Sequence, residues 1–293
     1  MKPKQVHASS RFLFHALATI LLGLLPRPAA AQTDSPVQSS ARPFGLQIAD
    51  TVKAAGSDVA SANFQANSLA SIRNVMNVPV GMRNALSDSR YLLDASKIQL
   101  ATAYDVRAYF INEDAGYHNT LGFNAQGNGV GSGNPKLIFP DASTNVGASA
   151  TSWNGVNRMP GEPLLPGDFV NLGNFSAGSK LDFFLIANGA RSPQGTFTGT
   201  ASANPDRINH VVAFTLADSP YLMLGFEDLM GGGDLDFNDL MVAIDIGQTN
   251  ATALRAMAAA PAPALPLVLG CLFGVVVIFK PRRVEGTARG LAA

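Results

Sequence analysis

The densest chemistry in this chain lies in one acidic stretch, GFEDLMGGGDLDFNDLMVAIDIG, at residues 225–247. Five carboxylates occur within residues 227–239, although only 14% of the chain is charged. Carboxylates held this close repel one another unless a cation or bound protons neutralise them. Oxygen ligands without His or Cys suit calcium, and magnesium less well. The stretch therefore predicts a Ca2+ site.

The spacing of these residues gathers their oxygens around one point. Asp234, Asp236 and Asn238 alternate, so in an extended or tightly turned backbone their side chains face the same side. The pattern overlaps an EF-hand loop in part, but Asp239 stands where that loop needs glycine, and the flanking runs are strands. The alternative is a solvated hairpin loop in which Asp and Asn are turn formers. The predicted metal ligands are Glu227, Asp228, Asp234, Asp236, Asn238 and Asp239.

Short apolar runs must position this loop. From about residue 100, runs such as AYDVRAYFIN, HVVAFTLADSPYLMLGF and LMVAIDIG alternate with turn residues, which predicts antiparallel strands. In the last run, alternate residues share one apolar face at period two. We therefore predict an all-β, jelly-roll-like antiparallel β-sandwich over residues 100–247. Residues 32–99 predict a leader and then short helices or irregular structure.

Both ends of the chain carry targeting patterns. Residues 1–31 combine basic residues, a short apolar run and an Ala-x-Ala site, which predicts a signal peptide. After a polar-to-Ala/Pro linker at residues 248–264, residues 265–283 hold the apolar run LPLVLGCLFGVVVIF and then basic residues. This order predicts a transmembrane helix and a short cytoplasmic tail at residues 284–293. The body of the protein is thus predicted to be exported.

Composition excludes several classes of protein. Lys plus Arg equal Asp plus Glu at 21 each, but many basic residues lie in the two terminal segments, so the predicted exported body is acidic. An acidic body of low total charge argues against nucleic-acid binding and suits divalent cations. Cys271, in the apolar tail, is the only cysteine. The body therefore has neither a disulfide nor a thiolate metal site.

The acidic stretch also resembles a known family. LGFEDLMGGGDLDFNDLMVAI is similar to the C-terminal signature of DUF4114 domains, and AYFINEDAGYHNTLGF and LLPGDFVNLGNFSAGSKLDFFLIANGA fit the same family in order. The resemblance covers about residues 100–247. It implies an exported β-sandwich of the Gram-negative bacterial envelope or cell surface, thought to bind calcium and often found in adhesin-like proteins. All six predicted ligands match positions of the family motif.

The tail APAPALPLVLGCLFGVVVIFKPRR resembles a second family, the PEP-CTERM sorting signals that an exosortase processes. It has a Pro-containing motif, an apolar span and a basic cluster. It departs from that family because it lacks Pro-Glu-Pro and continues for ten residues after Arg283. A plain membrane anchor and a cleaved sorting signal therefore both stay open.

Other side chains that could bind a metal or a ligand are scattered along the sequence. His118 and His210 lack the spacing of a zinc site and are interpreted as structural. Glu113 and Asp114 end a strand, and from there they could approach the acidic loop as extra ligands. Trp153 could stack on a sugar. The G-x-S-x-G motif of a serine nucleophile is absent from the sequence.

These observations predict a non-enzymatic, calcium-binding module of the cell surface, in adhesion or in extracellular-matrix and envelope organisation. Calcium is the expected cofactor, and surface glycan or matrix polysaccharide, the membrane and an exosortase are the expected partners. No catalytic residue, organic cofactor or nucleic acid is predicted. One alternative is a carbohydrate-binding or carbohydrate-active envelope protein. The other is a structural envelope protein whose acidic loop binds no ion.

Overall fold

The computed structural model describes residues 38–76, 92–143 and 163–259. Their regular secondary structure is mostly β-strand, in two β-sheets that pack face to face, which confirms the predicted all-β sandwich in this coarse form. The predicted signal peptide and the apolar run at residues 265–283 lie outside the described residues, and so does Trp153. Within the described ranges, no helix has both the length and the apolar character needed to span a membrane.

Short strands make up most of the regular secondary structure of the described chain, with helices near its two ends. The α-helices are α1 (Val59–Asn67), α2 (Leu69–Met76) and α3 (Gln248–Ala259). Single 3-10 turns lie at Pro43–Gly45, Ala95–Lys97 and Ala201–Ala203. The strands are β1 (Gln47–Ile48), β2 (Leu92–Leu93), β3 (Tyr104–Asn112), β4 (Thr120–Asn124), β5 (Lys136–Phe139), β6 (Phe169–Phe175), β7 (Asp182–Ala187), β8 (Gly195–Thr198), β9 (Val211–Thr215), β10 (Tyr221–Phe226) and β11 (Leu240–Asp245).

The strands pair in two sheets of different size. One sheet has five strands in the order β1-β5-β4-β7-β8, and the other has six in the order β2-β9-β10-β11-β3-β6. Neighbouring strands are antiparallel except for β1 and β5. The consecutive strands β6 and β7 lie in different sheets, so the Ser-Ala-Gly turn between them crosses the sandwich. By contrast, β9, β10 and β11 are consecutive neighbours in the larger sheet.

An apolar core fills the space between the sheets. Phe110 of the larger sheet meets Phe139 of the smaller one edge to face, with ring centroids 6.1 Å apart. Leu240, Val242 and Ile244 of β11 all face this core and are fully buried. The period of two that the sequence shows in β11 is therefore the period of burial, because successive side chains point to opposite faces of a sheet.

The outer face of the larger sheet is covered by α1 and α2. Phe64 of α1 stacks on Tyr109 of β3 with ring centroids 3.9 Å apart, and Ile72 of α2 belongs to the same apolar cluster. Asp58 begins α1 by accepting a hydrogen bond from Ser61 N at 2.7 Å. The short helices expected before residue 100 are thus present, and they make the larger sheet buried on both faces.

Residues 248–259 form α3, whereas the sequence predicted a linker there. Gly247 turns the chain out of β11 with φ of 77°. Asn250 then accepts a hydrogen bond from Thr102 N at 2.8 Å, and Ala251 and Leu254 are buried in the core. These positions lie on one face of a helix, a spacing that the Ala-rich and Pro-rich composition conceals.

Candidate metal centre

The acidic loop joins β10 to β11, whose last paired residues are Phe226 and Leu240. β9 and β3 flank the two strands, so both lie inside the larger sheet. Apolar residues fill the two strands, and their side chains are almost entirely buried. The sheet therefore holds both ends of the loop, residues 227–239, in fixed positions.

Glycines let the loop fold back at its tip. Two consecutive turns are closed by hydrogen bonds, from Gly232 N to Leu229 O at 2.9 Å and from Leu235 N to Gly232 O at 3.0 Å. Gly233 has φ of 54°, and a Cβ there would lie 2.4 Å from Glu227 Oε2. Glycine is favoured at Gly233 for two reasons, its left-handed backbone and the close approach of a carboxylate.

The D-x-D-x-N segment curls around its own carboxylates. Asp236 N donates to Asp234 Oδ1 at 3.3 Å, and Asn238 N donates to Asp236 Oδ1 at 3.2 Å. Leu235 and Phe237, which lie between these residues, have φ of 61° and 56°. Each left-handed residue with a side chain costs about 1–2 kcal/mol. The burial of Phe237 in the outer apolar cluster helps to hold this conformation.

Three of the six predicted ligands converge. Glu227, Asp234 and Asp236 each offer a carboxylate oxygen within 4.8 Å of the other two, and we call them the carboxylate triad. Glu227 is 1% exposed, Asp236 is partly buried and Asp234 is exposed, so the triad runs from the interior to the surface. Glu227 Oε1 accepts a hydrogen bond from Phe237 N at 2.6 Å. In the described part of the chain, no Lys, Arg or His forms an ion pair with the triad.

The electrostatics of the triad disfavour its own negative charge. Burial raises the pKa of Glu227 to about 7; the N–H of Phe237 opposes this shift, and the charges of Asp236 and Asp234 add to it. Burial also raises the pKa of Asp236, and the charges of Asp234 and Asp114 act in the same direction. A bound cation would stabilise the ionised form of these groups.

Two of the other predicted ligands form a separate pair. Asp228 N donates to Asp239 Oδ2 at 2.8 Å, and Asn119 Nδ2 donates to Asp228 Oδ2 at 2.7 Å. Burial raises the pKa of both Asp228 and Asp239, whose carboxyl groups also hydrogen-bond to each other. A carboxyl–carboxyl hydrogen bond of the same kind joins Asp234 and Asp236 of the triad. Asn238 donates its amide to Asp236 Oδ2 at 2.6 Å and so supports the triad from the side.

The triad fits a calcium ion in size and in ligand type. Two ligands of one ion are separated by at most twice the ion–oxygen distance, about 4.6–5.2 Å for calcium and about 4.0–4.2 Å for magnesium. The triad oxygens lie within 4.8 Å of one another, an upper bound that both ions can meet, so the preference for calcium rests on ligand type. Since calcium takes roughly six to eight oxygens, backbone carbonyls, the Asn238 amide oxygen or water would complete the shell.

Residues distant in the sequence fix the loop from outside. Asp206 Oδ2 accepts hydrogen bonds from Gly231 N and from His210 Nε2, both at 2.8 Å. His210 is fully buried, and its Nδ1 lies 3.2 Å from Glu227 O, which agrees with a structural role. Sequence reasoning missed Asp206 and also Asn119, because each comes from another element and no local pattern marks it.

The other residues singled out in the sequence are His118, Glu113 and Asp114, and each has a supporting role. His118 Nδ1 lies 3.0 Å from Asp141 Oδ2, so the two described histidines have different carboxylate partners. Asp114 is near enough to the triad for its charge to raise the pKa of Asp236. Glu113 is buried and accepts a hydrogen bond from Ala115 N at 3.0 Å. Of the two extra ligands considered from the sequence, Asp114 thus acts on the triad through its charge.

A comparison with protein families agrees with the resemblance found in the sequence. Residues 175–247 match the model of DUF4114, a domain of unknown function. The match begins later than the resemblance, near the end of β6, and it includes β7 to β11 with the whole acidic loop. Comparisons with curated proteins and with solved structures gave no match. The segment that carries the carboxylate triad is therefore a DUF4114 domain.

Proposed function

We propose that this protein is an exported, surface-associated calcium-binding β-sandwich module without catalytic activity, which serves in adhesion or in matrix and envelope organisation. One observation carries the calcium part of the proposal. The oxygens of Glu227, Asp234 and Asp236 lie within 4.8 Å of one another on a loop whose two ends are fixed by the larger sheet. All three donors are hard oxygens, the type that calcium prefers.

The surroundings of the triad support an external cation over a solvated loop. A loop that only makes a turn would spread its carboxylates into water, where repulsion is screened. Here Glu227 is 1% exposed, although its charge faces two other carboxylates and no ion pair within the described ranges neutralises it. Burying such a charge is costly unless a partner compensates for it. A calcium ion from the medium is that partner in our proposal.

Calcium would act on the stability and order of the loop. Binding to the folded state alone stabilises a protein by RT ln(1 + [L]/Kd), which is about 1.4 kcal/mol at a tenfold excess over Kd. Calcium sites of extracellular modules have Kd values of about 0.1–1 mM, a range that the medium outside a cell can saturate. The ion would thereby hold the tip of the loop in one conformation for a partner.

The exported and surface-attached parts of the proposal rest on sequence. They are supported by the signal-peptide pattern at residues 1–31 and by the apolar run at residues 265–283. Mass spectrometry of the mature protein would distinguish an intact membrane anchor from a sorting signal that an exosortase has removed. A C-terminus after residue 283 fits the anchor, and one before residue 265 fits the cleaved signal.

Thermal unfolding of the full chain tests the calcium proposal. We expect calcium to raise the Tm by about 3–6 °C at a tenfold excess over Kd, magnesium to raise it less, and a chelator to reverse the change. The variant Asp234→Asn with Asp236→Asn should lose the shift. The matched control, Asp105→Asn with Asp218→Asn, removes the same charge at the opposite end of the strands and should keep it. A shift that survives in the first variant would contradict the proposal.

A further inference from the structure

The tip of the acidic loop exposes three large apolar side chains. Leu229, Met230 and Leu235 are 46%, 54% and 52% exposed. They account for three of the six large apolar side chains that are exposed within the described ranges. Exposed apolar groups that cluster in this way mark a surface for interaction rather than a random surface residue. We call these three residues the apolar tip.

The apolar tip and the carboxylate triad are parts of one structure. Leu229 accepts the hydrogen bond of the first turn, and Leu235 donates the hydrogen bond of the second. A Cβ on Gly233 would lie 2.4 Å from Glu227 Oε2 and 3.9 Å from Leu229 Cβ, so the buried ligand and the tip approach the same glycine. An ion that orders the triad would therefore also order the tip.

The size of the apolar tip favours a lipid surface over a protein. A stable protein interface buries about 800 Å² on each partner, which is far more than three half-exposed side chains can provide. Insertion into the interfacial region of a membrane needs no such area, because each buried CH2 group contributes about 0.8 kcal/mol. A projecting loop with Leu and Met at its turns suits that mode of binding.

Charge complementarity determines which lipid surface the tip can approach. Without an ion, the exposed carboxylate of Asp234 beside Leu235 would repel anionic lipids. With calcium bound, the triad would supply three of roughly six to eight ligands, so lipid phosphate oxygens could take open positions. Calcium would thus neutralise most of the charge of the triad and offer lipid phosphates direct ligation, which replaces repulsion by a bridging contact.

We propose that the calcium-loaded loop docks on an anionic lipid surface, with Leu229, Met230 and Leu235 inserted among the lipids and the ion bridging to their phosphates. This inference rests on the proposed function, because it uses the same ion. It adds the partner that the ordered loop would engage. The apolar tip supplies the insertion, and the triad supplies the dependence on calcium.

A fluorescent probe at the tip tests this docking in the full chain. Cys271→Ser removes the only cysteine, and Met230→Cys then allows an environment-sensitive dye to be attached. With vesicles of equal parts phosphatidylcholine and phosphatidylglycerol, we expect a calcium-dependent blue shift of the emission. Vesicles of phosphatidylcholine alone should give none, and a chelator should reverse the shift. Because the dye reports only its own surroundings, attachment of the apolar C-terminal run to vesicles does not imitate this result.

A second labelling position provides the matched control. Val59 is 79% exposed and follows Asp58, which pairs with Arg107 at the end of the sheet away from the loop. A dye at Val59→Cys should not respond to vesicles. In the Met230→Cys protein, Leu229→Ser with Leu235→Ser should weaken the vesicle response roughly tenfold, since apolar burial is lost. The calcium-dependent Tm shift of this variant should remain, because neither Leu229 nor Leu235 is a ligand.

The outcomes separate this inference from the proposed function. A calcium-dependent Tm shift without any dye response would overturn the docking proposal and leave the calcium proposal standing. An equal response at both labelled positions would also overturn it. Calcium-dependent self-association without a response to vesicles would assign the tip to contact between copies of the chain. No calcium-dependent Tm shift at all would contradict the proposed function itself.

Discussion

The two ends of strand β11 surround their carboxylates with different partners. At the C-terminal end of the strand, Asp245 accepts hydrogen bonds from Tyr104 Oη at 2.9 Å and from Gly247 N at 3.1 Å. Arg107, which lies opposite Asp245 in the register, pairs with Asp58 at 2.9 Å. At the N-terminal end of the strand, the carboxylate triad accepts hydrogen bonds from backbone N–H groups and from the Asn238 amide, and otherwise its carboxylates face one another.

The difference lies in the cationic partner: Asp58 has Arg107, whereas no ion pair within the described ranges reaches the triad. Burial acts to raise the pKa of Asp58, but hydrogen bonds from Arg107 and Ser61 and the charge of Arg107 lower it overall. For Glu227 burial raises the pKa to about 7, and the nearby charges add to the shift. Arg107 thus neutralises Asp58, whereas burial raises the pKa of Asp245 at the same end, as it does that of Glu227. In our proposal an external cation neutralises the triad.

The largest expected effect is a pH dependence that comes from the loop alone. The pKa of Glu227 is about 7 in the folded chain, above the ordinary value of 4.5. Between these values the folded state binds more protons than the unfolded state, so the stability of the ion-free protein falls as the pH rises. We expect Glu227 alone to contribute a loss of about 2–3 kcal/mol from pH 4 to pH 8. Urea unfolding in chelator measures the profile, and Glu227→Gln should reduce its slope, while Asp239, whose pKa burial raises to about 8, keeps the rest.

Calcium should reverse this trend, because the ion binds the deprotonated carboxylates. The stabilisation by calcium is expected to be small near pH 5 and to grow as the pH rises through about 7. The same urea series with calcium added provides the comparison. A calcium effect that is equal at pH 5 and at pH 8 would speak against ligation by Glu227.

The second effect concerns the end of the sheet at which Arg107 pairs with Asp58. Arg107 pairs with Asp58, donates to Asn171 Oδ1 at 2.8 Å and lies 4.2 Å from the ring centroid of Phe169. Arg107→Met should lower the free energy of unfolding by about 2 kcal/mol, since a partly buried pair and a cation–π contact are lost. The calcium-dependent shift should stay unchanged.

An exposed ion pair serves as the control for Arg107. Lys97 and Asp94 are 2.8 Å apart, with side chains 72% and 46% exposed. Lys97→Met should therefore change the free energy of unfolding by less than about 1 kcal/mol. Equal losses in the free energy of unfolding of the two variants, measured by urea unfolding, would mean that burial does not determine how much the Arg107 pair contributes to stability.

The third effect tests the glycine beside the buried ligand. Gly233→Ala should cost about 1–2 kcal/mol and also weaken calcium binding, because the new Cβ would displace Glu227 Oε2. Gly231 also has a left-handed backbone, with φ of 87°, but nothing lies within 4 Å of a Cβ there. Gly231→Ala should thus destabilise the protein without changing the calcium Kd. Calcium titrations of both variants would reveal whether steric displacement matters.

The smallest effect has opposite signs with and without calcium. Asp234→Asn with Asp236→Asn removes repulsion around Glu227, so the ion-free variant should be more stable than the parent by roughly 0.5–1 kcal/mol. In calcium the parent gains stability and the variant does not, which makes the variant the less stable protein. Unfolding curves in chelator and in calcium give both signs. The same sign in both conditions would show that the loop gains nothing from the ion.

Local patterns in the sequence account for much of this architecture. The alternation of Leu240, Val242 and Ile244 predicts both the strand and the face that β11 turns to the core. The spacing of Asp234 and Asp236 predicts that their oxygens converge, since it depends only on neighbouring residues. These features could be derived because their causes lie within a few residues.

Tertiary packing decides the features that could not be derived. Glu227 and Asp228 are consecutive, so they point in different directions, and only the fold determines that Glu227 joins the triad. Asp206 reaches Gly231 across 25 positions, and Asn119 reaches Asp228 across 109. No local pattern encodes such contacts.

A crystal structure of the protein grown with calcium, with anomalous scattering to locate the ion, tests the metal centre most directly. We expect one calcium ion at about 2.3–2.6 Å from oxygens of Glu227, Asp234 and Asp236, with the loop backbone as described. Water alone among the three carboxylates at saturating calcium, or an ion bound elsewhere and not there, would contradict the assignment.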